Sequence, residues 1–349
     1  MMMPSLPAIA RLLARISLVF TFVVIIAGSV VRMTGSGMGC PDWPKCFGYL
    51  VPPTSAEELS FEPGRKFDTG HMVIWNDTLW VAEHPITAGA EFDHADWYKY
   101  PKHDYAIFNP LHTWVEYINR LATVVYGIPI MLLSFCVLLL WIRMGDRRAF
   151  MLALLTDVFI AYEVWLGKLV VDGNLKENSI TLHMLGSLGI VVCLLILVRH
   201  LTGDAKQAQV SKTLRNALAI LSVTAFVQML LGTQVREAVD IIAKTGLDRS
   251  QWVEALPVVF YIHRSFSILM VAVVVWIVRL WMKEGKSPQL GTHTLVAVCC
   301  AELFIGIVLA YLDMPAIAQP LHLLVGAIFF AIALRTYFRA TTKASPIEA

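Results

Sequence analysis

Eight apolar runs alternate with polar connections along this chain, at about residues 12–31, 114–142, 149–170, 180–200, 213–235, 258–281, 293–312 and 318–338. Each reaches the roughly 20 residues that an α-helix needs to cross a bilayer, so the pattern predicts eight transmembrane helices. Between the first and second runs lies an insertion, about residues 33–112, in which Pro, Asp, Trp and Tyr are scattered between turn signals. It holds no spanning run and is expected to form a partly ordered cap.

The pattern is also nearly duplicated. Glu116-Tyr117-Ile118-Asn119-Arg120 returns as Phe260-Tyr261-Ile262-His263-Arg264, and Leu182-His183-Met184-Leu185 returns as Leu321-His322-Leu323-Leu324. The offsets are regular: 139 residues separate His183 from His322, Glu163 from Glu302 and Gly167 from Gly306. Asn119 and His263 lie 144 apart, while Gly28-Ser29-Val30-Val31-Arg32 matches Gly232-Thr233-Gln234-Val235-Arg236 at 204. The first copy therefore carries about 60 extra residues, all in the insertion. Four helices per copy is an even number, so the copies share one orientation. The expected fold is all-α and polytopic, with two tandem, same-orientation four-helix bundles: residues 1–205, including the long outer loop, and residues 206–349.

Charge sets the sidedness. Arg11, Arg15, Arg143, Arg147, Arg148, Arg199, Lys206, Lys212, Arg215, Lys283, Lys286, Arg335, Arg339 and Lys343 all fall on one side of this map. By the positive-inside rule both termini are then cytoplasmic. The first run sits where a secretory signal would, but Arg32 follows it directly and its end belongs to the repeat, so it is read as retained. With 57% hydrophobic and 15% charged residues, the chain is too apolar for a water-soluble protein and is read as an integral membrane protein in contact with lipid. The net charge of +2 reflects that topology, not nucleic-acid binding, and no Walker loop or dinucleotide fingerprint appears. Of six cysteines, Cys40 and Cys46 lie in the outer loop, on the side where disulfides can form. Cys136, Cys193, Cys299 and Cys300 read as apolar packing residues.

Three of the four repeated polar positions are histidines in apolar helices. The second, fourth, sixth and eighth runs all go from outside to inside, and Asn119, His183, His263 and His322 each lie within about two turns of the outer end. A lone membrane histidine commonly serves an interhelical hydrogen bond. Three at equivalent, equally deep positions point instead to haem iron, held between imidazoles of neighbouring helices. His263 with His322 forms a complete pair, whereas His183 faces Asn119, a poor iron ligand. The second half is thus suited to permanent bis-histidine ligation and the first to an exchangeable occupant. Arg120 and Arg264 follow the paired positions, and Arg32 and Arg236 close the first and fifth helices on the same side. Porphyrin carboxylates would find partners there, although arginines at helix ends also snorkel to headgroups.

Glu116 breaks the symmetry, because its counterpart is Phe260. Three residues before Asn119, it shares a helix face with it and is placed to accept or donate a proton at a ligand in the first half. Glu163 and Glu302 occur in both copies as Glu-x-x-x-Gly and read as helix-packing residues with a buried hydrogen bond. His71, His84, His94 and His103 lack a zinc-like cadence and read as surface residues. His112, four residues before Glu116, becomes a substitute imidazole only if the second helix begins early.

These residues resemble the haem A synthase family, membrane enzymes that convert haem O to haem A for terminal oxidases. The resemblance spans nearly the whole chain. Its most specific part is Gly28-Ser29-Val30-Val31-Arg32-Met33-Thr34-Gly35-Ser36-Gly37-Met38-Gly39-Cys40-Pro41-Asp42-Trp43-Pro44-Lys45-Cys46, similar to the family's Arg-x-Thr-Gly-Ser-Gly segment and cysteine pair. It implies a resident haem b on His263 and His322, with Arg264 and Arg236 beside it. It implies a substrate haem O at His183, Asn119, Arg120 and Arg32, and an essential carboxylate at Glu116. Cys40 and Cys46 fall on the family's outer-loop cysteines, as a disulfide or redox pair. The implied reaction oxidises a porphyrin methyl group to a formyl group by successive hydroxylations. An electron acceptor is required, and a haem O synthase, terminal-oxidase assembly partners and a second copy of the chain are the partners to consider, in a bacterial plasma membrane. Two departures stand out: Asn119 where many members have histidine, and no cysteine pair at about 237–257.

Two rival readings remain open from sequence. A diheme b-type cytochrome, quinol-linked and without chemistry on the porphyrin, would want two equal bis-histidine sites, against which Asn119 and Glu116 both argue. A transporter built from parallel repeats would show broken helices near the midplane, for which Pro129 is the one strong candidate.

Overall fold

The computed structural model describes residues 5–101, 107–172, 179–203, 208–284 and 291–341, so that His103, Lys206, Lys286 and Lys343 lie outside the described residues. Its helices are α1 (Leu6–Met33), α2 (Pro110–Met144), α3 (Arg147–Asp172), α4 (Ser179–Thr202), α5 (Lys212–Ala243), the single turn α6 (Trp252–Ala255), α7 (Val258–Lys283), α8 (Thr292–Tyr311) and α9 (Ala318–Arg339). All but α6 are long and apolar enough to cross a membrane, matching the eight runs. Large apolar side chains such as Val19, Val124, Met131, Phe135, Ile268 and Phe304 stand exposed along them, as a lipid solvent requires. The protein is a polytopic, all-α membrane protein with a small β-rich insertion.

The chain divides into two compact units, one of Met1–Ile26, Val125–Glu163 and Ile180–Ala349, the other of Ala27–Val124 and Val164–Ser179. In the first unit the four long helices of the second repeat pack together, α5 against α7 and α9, and α8 against α7 and α9. Leu214, Leu218, Leu221, Ile277 and Leu295 are fully buried among them. A second apolar cluster joins Ala10 and Ala14 of α1 to Leu133 and Val137 of α2, Ala149 and Ala153 of α3, and Leu194 of α4. The small residues let helix backbones approach closely, which is what drives packing where lipid competes equally for apolar surface. At one end of this unit His200 Nε2 meets both Asp146 oxygens at 2.8 and 2.9 Å, tying the α2–α3 turn to the end of α4. Pro129 sits inside α2 without ending it.

The second unit holds the insertion, which is more ordered than its sequence suggested. Strands β2 (Met72–Trp75), β3 (Thr78–Ala82) and β5 (Trp97–Lys99) form an antiparallel sheet, and β1 (Lys66–Phe67) pairs with β4 (Ile86–Thr87). Asn76 and Asp77 both adopt positive φ in the two-residue turn between β2 and β3, the backbone a tight hairpin demands. Alternation along β3 sends Leu79 and Val81 to one small core, with Phe47, Leu59 and Met72, and Ala82 to another, with Phe67, Val73 and Trp97. Phe92 stacks on Trp75 at 5.3 Å and on Trp97 at 5.5 Å, so aromatic surface substitutes for strand length. The insertion's described histidines serve locally: His71 stacks on Tyr49 at 4.0 Å, His84 pairs with Asp96 at 3.2 Å, and His94 lies 4.8 Å from Trp80.

Two of the boundaries that differ from the hydropathy reading move candidate residues. The second helix begins at Pro110, four residues early, which brings His112 into its first turn. The fifth runs on to Ala243, so Arg236 is an interior residue and does not close the helix. Val239 and Ile242 keep it helical there by burying against Leu256, Phe260 and Met314, and Arg236 pairs with Asp240 one turn on at 2.5 Å.

Candidate functional site

In the first unit, α7 and α9 bring His263 and His322 opposite one another, with ring centres 6.2 Å apart and ring planes perpendicular, at 89°. Two metal–nitrogen bonds of ~2 Å, plus ~1 Å from each nitrogen to its ring centre, place the rings of an axial pair ~6 Å apart. The observed spacing fits a haem iron between them. Nδ1 of His263 is buried and has no hydrogen-bond partner among the described residues. Left unbound, such a nitrogen costs about 1–3 kcal/mol, so it argues for a group the protein binds there.

The surroundings orient both rings. A Cβ on Gly232 of α5 would stand 3.2 Å from His263 Cε1, so the missing side chain is what lets α5 close over the imidazole. Gln228 Nε2, one turn earlier, donates to the His263 carbonyl oxygen at 3.0 Å. On the other ring, Nδ1 of His322 lies 3.2 Å from Glu302 Oε1 of α8, in ion-pair range though not aligned for a hydrogen bond. That contact leaves Nε2 as the nitrogen available to a metal. Arg264 is exposed with its guanidinium 5.3 Å from the Tyr261 ring centre, and Arg236 also reaches Gln319 at the start of α9.

The first repeat divides its candidates between the two units. His183 belongs to the first unit, and its Nδ1 meets Glu163 Oε2 of α3 at 2.7 Å. The helix bearing His183 is tied to α5 by Thr181, whose Oγ1 lies 2.9 Å from Thr233 Oγ1 and accepts from Gln234 Nε2 at 2.6 Å. Arg32, Asn119, Glu116, Arg120, Cys40 and Cys46 belong to the second unit. Arg32 is in the last turn of α1. Asn119 faces Gly28 of α1, where a Cβ would lie 3.9 Å from its Oδ1, and that oxygen finds no partner among the described residues. Gly28 and Gly232 stand at positions the repeat equates, but the approach is in ordinary van der Waals range at Asn119 and tight at His263.

Glu116 is buried and fully engaged. Arg120 Nη2 donates to its Oε1 at 2.5 Å, and the Cys40 backbone N–H donates to its Oε2 at 2.9 Å. Cys40 and Cys46 are joined in a disulfide that closes residues 40–46, a run of bends without paired strands, into a hairpin-shaped loop. Thr113 Oγ1 donates to the Gly39 carbonyl oxygen at 2.8 Å, and a Cβ on Gly39 would collide with the His112 carbonyl, so only glycine lets the hairpin seat against the first turn of α2. In the hairpin, Asp42 Oδ2 accepts from the Gly48 N–H at 3.0 Å, yet burial pushes its carboxyl above the usual carboxylate range.

The family of cytochrome oxidase assembly proteins designated COX15-CtaA matches residues 11–79 and 83–334, nearly the whole chain. The chain belongs to this family. One similar relative is a protein of Shewanella oneidensis named heme A synthase, 27% identical over 252 residues, which make up 70% of this chain and 63% of the relative. The chain thus covers less than two thirds of that relative's length.

For this COX15-CtaA member, sequence reasoning missed the direct contact of Glu163 and Glu302 with the histidines. The signal was present: the 139-residue offset that equates His183 with His322 also equates Glu163 with Glu302. Carboxylate beside imidazole is the arrangement by which proteins fix the tautomer and orientation of a metal-ligating ring. Asp157 of α3, which accepts from Ser134 Oγ at 2.8 Å, is a further intramembrane carboxylate that the sequence reading passed over.

Proposed function

We propose that this protein is a haem A synthase, oxidising one methyl group of haem O to a formyl group by two successive hydroxylations and loss of water from the resulting diol. Membership of the COX15-CtaA family supports the reading, and the observation that carries it is the facing pair His263 and His322 beside a first repeat that lacks such a pair. In this reading the second repeat holds a resident haem b on His263 and His322, with Arg264 and Arg236 near its carboxylates. Haem b supplies one-electron redox chemistry for relaying electrons towards an acceptor.

The chain's own residues do the rest. Glu302 holds the His322 ring in one orientation, and Gly232 lets α5 exclude lipid and water from the His263 side. Haem O is taken as substrate by the first repeat, through His183, whose ring Glu163 orients; Asn119, Arg120 and Arg32 are the residues that the repeat and the family resemblance assign to haem O. Asn119 has no imidazole to offer, so this position gives the substrate iron no strong ligand opposite His183; His112, in the first turn of α2, is the alternative imidazole on that helix. Glu116 handles protons as the methyl carbon is oxidised, since it is the carboxylate that the second repeat replaces with Phe260. In this reading both termini face the cytoplasm and the reaction lies towards the outer face of the membrane.

The test is conversion of haem O by the purified, detergent-solubilised protein, followed by chromatography of the extracted pigments. Hydroxylated and formyl products appear if the reading holds. Two equivalents of unchanged haem b and no product would indicate an electron-transfer cytochrome instead.

A further inference from the structure

Arg120 stands where a substrate carboxylate could be gripped, but both of its terminal nitrogens are already engaged inside the protein. Nη1 donates to the backbone carbonyl oxygens of both Asp42 and Lys45 at 2.8 Å, and Nη2 to Glu116 Oε1 at 2.5 Å. Three of the five guanidinium hydrogens are thus used, and the side chain is 14% exposed against 6% for Glu116. Both carbonyls belong to the short hairpin that the Cys40–Cys46 bond closes. The same hairpin offers the Cys40 N–H to the other oxygen of Glu116. Carboxylate, guanidinium and hairpin therefore form one closed circuit, in which Glu116 is held by a backbone amide on one side and on the other by a cation that grips the same hairpin at two further points. The far side of the hairpin is fixed to the rest of the insertion, where Tyr100 donates to the Pro41 carbonyl oxygen.

We propose that Arg120 is a positioning residue: it fastens Glu116 to the disulfide-closed hairpin, so that the orientation of this carboxylate depends on the Cys40–Cys46 bond being intact. The proposal rests on the reading of Glu116 as the proton-handling group. It assigns the cysteine pair a mechanical role in the reaction and withdraws Arg120 from recognition of porphyrin carboxylates. A planar, five-donor guanidinium suits the task because it bridges two carbonyls and a carboxylate at fixed angles, which a lysine ammonium reproduces only in part.

The experiment uses full-length protein carrying its haem, with the haem b spectrum as the check that each variant is folded. Wild type, Arg120→Gln, Arg120→Lys, Cys40→Ser/Cys46→Ser and the combination of Arg120→Gln with the cysteine pair are compared. The first readout is the rate at which a phosphine reduces the disulfide, followed by thiol alkylation and mass. Arg120→Gln is expected to accelerate reduction about tenfold, the worth of one charge-assisted hydrogen bond, with Arg120→Lys in between. The second is turnover of haem O: Arg120→Gln lowers kcat about tenfold or more with KM within about twofold, and the combined variant is no worse than its poorer parent, as expected for residues acting through one unit. An unchanged reduction rate with a raised KM would overturn the proposal and return Arg120 to the substrate, and additive losses in the combined variant would overturn it too. Should wild type fail to convert haem O, the functional reading fails, while the reduction rates still decide whether Arg120 holds the hairpin.

Discussion

Removing the Glu302 carboxylate isolates the part of the site that sequence did not reveal. Glu302 Oε1 lies 3.2 Å from His322 Nδ1, whereas the repeat-related Glu163 Oε2 lies 2.7 Å from His183 Nδ1. Replacing a carboxylate that orients a ligating histidine lowers metal affinity about 10–100-fold, or ~1.4–2.8 kcal/mol. The longer, poorly aligned contact of Glu302 places Glu302→Gln near the low end of that range, and the short contact of Glu163 places Glu163→Gln near the high end. The two losses fall on different pigments. Haem b titrated into apoprotein, followed by its low-spin absorbance, is expected to bind Glu302→Gln about tenfold more weakly than wild type and Glu163→Gln equally well. Haem O turnover is expected to collapse in Glu163→Gln through a raised KM. If both variants weakened haem b alike, or neither did, the separation of the two carboxylates into two sites would be wrong.

Glu116→Gln is expected to retain the haem b spectrum while losing at least ~100-fold in turnover, within the range proton-transfer groups contribute; pigment analysis of the purified variant checks both halves of that statement. Gly232→Leu places a branched side chain where a Cβ alone already stands 3.2 Å from His263, and should abolish low-spin haem b, whereas Gly28→Leu should spare haem b and reduce turnover. Asp42 gives a pH test. Its carboxyl is raised in the folded state above its ordinary 3.8, so the folded protein binds the proton more tightly than the unfolded chain. The associated stability is present at low pH and is lost as pH rises through the folded value. Asp42→Asn, which keeps an acceptor for the Gly48 N–H, should therefore raise the thermal midpoint at pH 7, with the advantage shrinking as pH falls towards 4.

The spans were readable because a bilayer imposes length and apolarity on each segment, independently of its neighbours. The histidines were readable because an imidazole in such a segment is anomalous, and because His183, His263 and His322 recur at fixed offsets. The β-strands of the insertion were not, since two- to five-residue strands carry too little alternation, and the Phe92, Trp75 and Trp97 stack that holds them joins a loop residue to two different strands at no regular spacing. The same limit hid Glu302 beside His322 and Arg120 beside the 40–46 carbonyls: periodicity along one helix says nothing about which residues of the next element it meets. The continuation of α5 past Arg236 was hidden for a related reason, because its last turns bury against α6 and α7 and not in lipid.

The central claim is that one repeat keeps a haem while the other reacts with one. It is tested most directly by extracting and quantifying the pigments of His322→Ala and His183→Ala beside wild type, purified from a host that makes haem O. His322→Ala is expected to lose haem b, and His183→Ala to keep one equivalent of haem b but to carry neither haem O nor its oxidised products. Loss of haem b from His183→Ala, or two equivalents of haem b and nothing else in wild type, would contradict it.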